Sequence, residues 1–321
     1  MMTKFSILLL LLYFVLSILF FNEVQWLRIN EDDLPFTCVQ YDKLAWSIKA
    51  RTIDQIVEYI DFLFNMKVTL AVALTLLLAV TVTQATDYCS WDICNGGNHI
   101  ACGHSNWWDS NCPGDAELID INDDYKWVFV HSHNDKRNYI AGGYDSNHNA
   151  ACRMATMEWD DELAYLASLN VRQCNMIHDS CHNTDAFKYS GQNLAWQAYS
   201  GDLPDMGYIL DNSVQMWFDE VQNSNSGIIE GGYPSGYSGP AIGHFTVMMS
   251  ERNTRLGCAA AKYNRDGWNQ VLVACNYATT NMIGRQIYST CDWGAQGCSS
   301  GSNGEFGNLC SNNEWYDVNS W

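Results

Sequence analysis

Twelve of the chain's 13 cysteines fall after residue 86: Cys89, Cys94, Cys102, Cys112, Cys152, Cys174, Cys181, Cys258, Cys275, Cys291, Cys298 and Cys310. Only Cys38 precedes them. Cytosolic chains rarely hold so many thiols unless they bind metal, whereas an even set confined to one region fits six disulfides formed in an oxidising compartment. Each bridge of that kind adds about 2–4 kcal/mol by restricting the unfolded chain. The spacing of Cys94, Cys102, His104 and Cys112 imitates a zinc knuckle. Behind a secretion signal the same residues read as disulfide partners.

Two apolar segments bear on how such a region leaves the cytosol. Residues 5–21 are almost wholly apolar behind Lys4 and read as a signal or anchor. A second segment opens at Met66-Lys67, runs apolar from Val68 to Val80 and ends in Thr83-Gln84-Ala85 before Thr86. A charged start, an apolar middle and a small-residue exit make residues 66–85 a complete signal peptide. Were both segments to span a membrane with the N-terminus inside, the cysteines would return to the cytosol, against the argument from their number. Met66 is therefore expected to be the working start, with residues 1–65 an upstream extension outside the mature protein. The competing arrangement is a double anchor with its N-terminus outside, which Arg28, Lys43, Lys49, Arg51 and Lys67 favour. Membrane contact is expected only through these segments, if they are retained. Between them Ile53, Ile56, Val57, Ile60 and Phe64 recur at helical spacing and predict an amphipathic helix over 52–64.

The net charge of −19 excludes a nucleic-acid backbone as partner, which would need clustered Lys and Arg. Most of the excess follows residue 85, where 28 of the 36 acidic and 11 of the 17 basic residues lie. No Asn-x-Ser/Thr sequon occurs, so N-linked glycosylation is not expected. Thirteen Trp suit a well-filled core or an aromatic groove.

Asn122 to Ala141 reads as a helix stopped by Gly142-Gly143. On it His131 and His133 are two residues apart and cannot share a face as a metal pair. Asp160 or Asp161 caps a second helix with an apolar stripe of Leu163, Leu166, Ala167 and Val171. A third runs from Asp205 or Asn212 through Trp217 to Val221. Residues 227–243 read as loop, followed by strands around Phe245 to Met249, Gly257 to Lys262 and Val271 to Cys275. Helices first and strands later predict an α+β fold.

Five segments carry a family signature in order: Cys174-Asn-Met-Ile-His178, Gly191-Gln192-Asn193-Leu194-Ala195, Trp217-Phe218-Asp219-Glu220, Gly243-His244-Phe245-Thr246 and Cys275-Asn276-Tyr277. His133 to Arg137 adds a helix motif. Together they resemble the cysteine-rich secretory, antigen 5 and pathogenesis-related (CAP) superfamily, most closely insect antigen 5-like (venom allergen-like) proteins, over roughly residues 87–321. The resemblance implies a disulfide-rich, three-layer α-β-α sandwich. It divides the chain into a Cys-rich extension (86–115), the CAP domain (116–287) and a Cys-rich tail (288–321). It also implies the pairs Cys89–Cys102, Cys94–Cys181, Cys112–Cys174 and Cys258–Cys275. Proximity then suggests Cys298–Cys310, and elimination Cys152–Cys291.

In such proteins two histidines and two acidic residues line a central cleft. By motif, His178, Glu220 and His244 take three of those places, and Gln192 stands where many relatives carry glutamate. His178, His244 and Glu220 are thus the candidate ligands of a divalent metal, Zn or Mg, with no cofactor required, because two imidazoles and a carboxylate form a known zinc donor set. His182, four residues after His178, would share its face only in a helix, and Cys181 beside it favours a loop. No catalytic residue is assigned. Gly236-Tyr237-Ser238-Gly239-Pro240 has proline where a nucleophile elbow needs its last glycine. The expected function is extracellular binding, of an ion in the cleft and, as the resemblance implies for some relatives, of a lipid or sterol in a groove. Trp217, Phe218, Met248 and Met249 would suit such a groove, although at helical and strand spacing such residues are more often core. The competing readings are a secreted hydrolase, metal-dependent or Ser/His/Glu protease-like, and a protein ligand for a receptor in venom, saliva or seminal fluid.

Overall fold

The computed structural model describes residues 86–104 and 106–320, which form one compact unit. The expectations for the apolar segments 5–21 and 66–85, the helix over 52–64 and Cys38 lie outside the described residues. Among the described residues no helix is long and apolar enough to cross a membrane. The elements are β1 (Glu117–Leu118), α1 (Asp123–Ala141), β2 (Glu158–Trp159), α2 (Asp161–Val171), β3 (Gly191–Tyr199), α3 (Met206–Phe218), α4 (Ser226–Gly231), α5 (Gly243–Met249), β4 (Arg255–Arg265) and β5 (Trp268–Tyr277). Single 3-10 turns lie at Trp91–Cys94 and Asp219–Asn223.

The sheet runs β1-β4-β5-β3, with β2 added parallel to β4 and the other pairs antiparallel. Asp266 and Gly267, both at positive φ, close the β4–β5 hairpin, since a two-residue turn of that hand matches strand twist. Period-two alternation then sorts the two long strands into two cores. Leu256, Cys258, Ala260, Val271, Val273, Cys275 and Tyr277 join the larger core under α1, α3 and α5. Ala259, Ala261, Leu272 and Ala274 turn the other way, onto Ala167 and Val171 of α2. One helix on one face and three on the other make the sheet the middle layer of an α-β-α sandwich.

Local chemistry fixes the helix ends. The Asn122 and Asp160 side chains accept from the backbone N–H groups of Tyr125 and Leu163, and Asp205 caps α3 through Tyr208. After α1 the left-handed residue is Gly143, with φ +68°. Arg137 of α1 is fully buried and donates to the carbonyls of Ala155, Met248 and Ser250, which ties α1 to the end of α5. His133 is also buried: its Nδ1–H donates to Phe129 O and its Nε2 accepts from the Tyr277 hydroxyl. Burial pushes its pKa down to about 3, so the ring is neutral.

Six disulfides join Cys89–Cys102, Cys94–Cys181, Cys112–Cys174, Cys152–Cys291, Cys258–Cys275 and Cys298–Cys310.

Four expectations are corrected. The run Phe245–Met249 is a helix, not a strand, because Thr246 bonds back to Ile242 through both its N–H and its hydroxyl. All five residues of that run are buried, and an apolar run without alternation does not discriminate helix from strand. Strand β3, not predicted, lies between α2 and α3, so strands do not simply follow helices. Helix α3 stops at Phe218 and continues only as a 3-10 turn, and the loop 227–243 contains most of the short helix α4. Trp217, Met248 and Met249 are core residues, and Phe218, partly buried against the same core, reaches a surface pocket beside Tyr139 and Tyr144.

Candidate functional site

Strand β3, the loop before it and the start of α5 meet at a cleft of about 560 Å³. His178, His182, Gln192, Glu220 and His244 all line it, with Tyr233, Tyr237, Ile242 and Ile283 as an apolar wall. Four residues that the motifs single out from separate segments thus face one space.

Glu220 accounts for the position of His244. Its Oε2 accepts from the backbone N–H groups of His244 and Phe245, at 2.8 and 3.1 Å, satisfying the orphan donors at the start of α5. Its Oε1 lies 2.6 Å from His244 Nδ1. A carboxylate only accepts, so Nδ1 carries a proton, and in the neutral ring Nε2 keeps its lone pair. Both oxygens of Glu220 are thus engaged, Oε2 with the start of α5 and Oε1 with the His244 ring, which fixes how that ring is turned.

His178, on the exposed loop after Cys174, reaches Gln192 Oε1 through Nδ1 at 2.9 Å. The Gln192 amide is held by two acceptors of its Nε2 hydrogens, Asp179 Oδ2 at 2.7 Å and Asn276 Oδ1 at 2.9 Å. Its oxygen therefore faces His178, whose proton also lies on Nδ1 with Nε2 an acceptor. Asp179 was not singled out by sequence. The signal was an acid directly after a motif histidine, in a segment pinned at Cys174 and Cys181. Burial alone would raise its carboxyl, but the hydrogen bond and charge of His182 and the amides of Gln192 and Asn170 hold it at about 2. His182 lies in loop, as Cys181 suggested; its Nδ1 is 2.7 Å from Asp179 Oδ1 and its Nε2 is buried without a hydrogen-bond partner.

Among the described residues, three metal-type donors drawn within 4.8 Å of one another occur at Cys94, His99 and Cys181. Chemistry rules that group out, because its two sulfurs form a disulfide and offer no thiolate. His99 is committed as well: Nδ1 accepts from Ala101 N and Nε2 donates to Asn183 O. Cys102, His104 and Cys112 form no knuckle, since both cysteines are in disulfides.

Comparison with known proteins bears on this arrangement. The CAP family model (cysteine-rich secretory protein family) matches residues 130–277. Venom allergen-1 of Aedes albopictus is 37% identical over 246 residues, covering 75% of this chain and 94% of its own length. Venom allergen 5 of Polistes dominula is 30% identical, covering 70% of this chain and 99% of its own. Among solved structures, NaASP2 with Zn2+ matches with a TM-score of 0.50 at 24% identity, over 63% of this chain and all of that one. BmVAL-1 matches with a TM-score of 0.50 at 19% identity, over 63% of this chain and 98% of that one. The fold, the six disulfides and relatives matched over nearly their whole length place this chain in the CAP superfamily, as an insect antigen 5-like member.

Proposed function

We propose that the protein works outside the cell by reversible binding of a divalent ion in the cleft, not by catalysis. One observation carries the reading: His178 and His244 both line the cleft with Nδ1 bonded to an oxygen acceptor, which leaves both Nε2 lone pairs as free donors. An imidazole held at one nitrogen and open at the other is how metal-ligating histidines are ordinarily presented. Nitrogen donors suit Zn2+ far better than Mg2+, which prefers oxygen. A protein of like fold was solved with Zn2+, which makes zinc the ion to try first. When bound, the ion would supply a positive charge and open coordination positions to a ligand in the cleft. Glu220 and Gln192 would hold the rings in place without touching it.

Binding is favoured over serine-type hydrolysis because a hydrolase of that type needs a nucleophile beside a base. The serine on the cleft is Ser190, and its hydroxyl donates to Tyr277 O, not to a histidine. Six disulfides and relatives named as venom allergens support an extracellular site of action. The test is calorimetric titration with Zn2+, alongside native mass spectrometry, of wild type and His178→Ala/His244→Ala. Saturable binding of one ion, lost in the variant and reversed by chelator, is expected. Binding unchanged in the variant would refute the assignment.

A further inference from the structure

Position 192 holds an amide where the family resemblance leads one to expect a carboxylate. We propose that Asp179 is the positioning residue for His178, its carboxylate acting through the Gln192 amide, so that the negative charge of this half of the cleft has moved from 192 to 179. Asp179 is fixed on every side: Oδ1 accepts from His182 Nδ1 at 2.7 Å, and Oδ2 accepts from Asn170 Nδ2 at 2.9 Å and Gln192 Nε2 at 2.7 Å. Its side chain is 5% exposed, so water screens it poorly. The amide between them cannot turn over cheaply. A flip would set Gln192 Oε1 against the Asp179 carboxylate and against Asn276 Oδ1, and Asn276 is itself held by donating to Leu163 O. Gln192 Oε1 thus stays on His178 Nδ1, with its dipole aligned by the charge behind it.

The same geometry explains why glutamate is absent. A carboxylate at 192 would set two anionic oxygens at the present 2.7 Å spacing, in a place nearly closed to water. Positions 179 and 192 can carry one negative charge between them, and either position can hold it. The charge-swapped pair Asp179→Asn/Gln192→Glu keeps the hydrogen bonds to His178 and His182, with the new amide oxygen at position 179 facing His182 and the new amide nitrogen facing the carboxylate at position 192. Asn170 would have to turn its buried, unpartnered Oδ1 toward position 179, which gives up the bond from its Nδ2 to Ile177 O. Asn276 Oδ1 would still lose its donor, so the swap restores the pair but not every bond around it.

The experiment is a double-mutant cycle of Asp179→Asn, Gln192→Glu and the swap, read three ways. Thermal unfolding of the metal-free protein needs no bound ion: Gln192→Glu is expected to lower Tm by about 5 °C or more, and the swap to recover about half of it or more. Imidazole 15N spectra are expected to show His178 as the Nδ1–H form in wild type and swap alike. Zn2+ affinity, the one readout that rests on the reading above, is expected to fall about tenfold in Asp179→Asn and to return to within about threefold in the swap. Additive Tm losses with no recovery, an Nε2–H ring in wild type, or unchanged Zn2+ affinity in Asp179→Asn each overturns the proposal. Wild type that binds no Zn2+ while the Tm cycle still shows recovery would overturn the ion reading alone and uphold the coupling of 179 to 192.

Discussion

Gly257 is where strand β4 passes closest to helix α2, and substituting it tests the sandwich. A Cβ added there would lie 2.2 Å from Ala164 N, 2.3 Å from Asp160 O and 2.7 Å from Leu163 C. Carbon needs about 3.5 Å to such atoms, so strand and helix must part by more than about 1 Å. All three neighbours are backbone, and none can rotate away as a side chain could. Helix α2 is also held in place, by the Asp160 cap, by Ala167 and Val171 in the core, and by the Asn276 bond to Leu163 O. Overpacking ordinarily costs about 1–3 kcal/mol, and rigid contacts place Gly257→Ala at about 3 kcal/mol. At this size that is a Tm lowered by about 6–12 °C. Guanidinium unfolding with disulfides intact, followed by tryptophan fluorescence, reads the loss. Gly114→Ala, whose added Cβ meets nothing within 4 Å, serves as control and should stay within about 0.5 kcal/mol. A loss below about 1 kcal/mol at Gly257 would refute the reasoning, because it would mean that α2 slides freely over the sheet.

Arg137→Met keeps the bulk but strands the carbonyls of Ala155, Met248 and Ser250, so equilibrium unfolding should show a loss of at least about 3 kcal/mol. Glu314 tests acid stability. Burial would raise its carboxyl, but the hydroxyl and backbone N–H donors of Ser300 and Ser299 lower it from 4.5 to about 2. A depressed carboxylate stabilises the fold above its unfolded pKa and loses that contribution as pH falls from about 4.5 to 2, here about 3 kcal/mol. The stability gap between wild type and Glu314→Gln should close across that window in denaturant titrations, and a gap independent of pH would contradict the assignment.

Helices α1 and α2 were legible because their caps and apolar stripes are local: Asn122 and Asp160 each sit one residue before a run of helical period. Strand β3 was not. Residues 191–195 are buried on both faces, so alternation is lost, and Gln192, Asn193 and Gln197 look polar enough for a loop until their hydrogen bonds to other elements are seen. The helix α5 was hidden by the opposite problem, a run so uniformly apolar that both periods fit. For the cleft, motif resemblance could bring His178, Gln192, Glu220 and His244 together, though their spacing says nothing of contact. Which atom faces which was beyond reach. Glu220 reads as a ligand in a donor list and stands as a helix cap once the two N–H groups of α5 are placed on it. Asp179 carried no motif, and its part follows only from the three donors that surround it.

The double task of Glu220 yields a sharper test of the cleft than deleting a histidine does. In Glu220→Gln one oxygen and one amide nitrogen replace two acceptors. The backbone N–H groups of His244 and Phe245 can bond only to the oxygen, so the amide nitrogen must turn toward His244 Nδ1. That nitrogen donates, so the imidazole proton moves to Nε2 and the lone pair on the cleft side is lost. Helix α5 keeps its cap, and stability should fall by only about 1 kcal/mol. Zn2+ affinity should fall about 10- to 100-fold, the usual effect of removing a group that orients a ligating histidine. Calorimetry and imidazole 15N spectra read the two effects separately. If His244 moved to the Nε2–H form with zinc binding unchanged, His244 would not be a ligand; if the ring kept its proton on Nδ1, the account of Glu220 itself would fail.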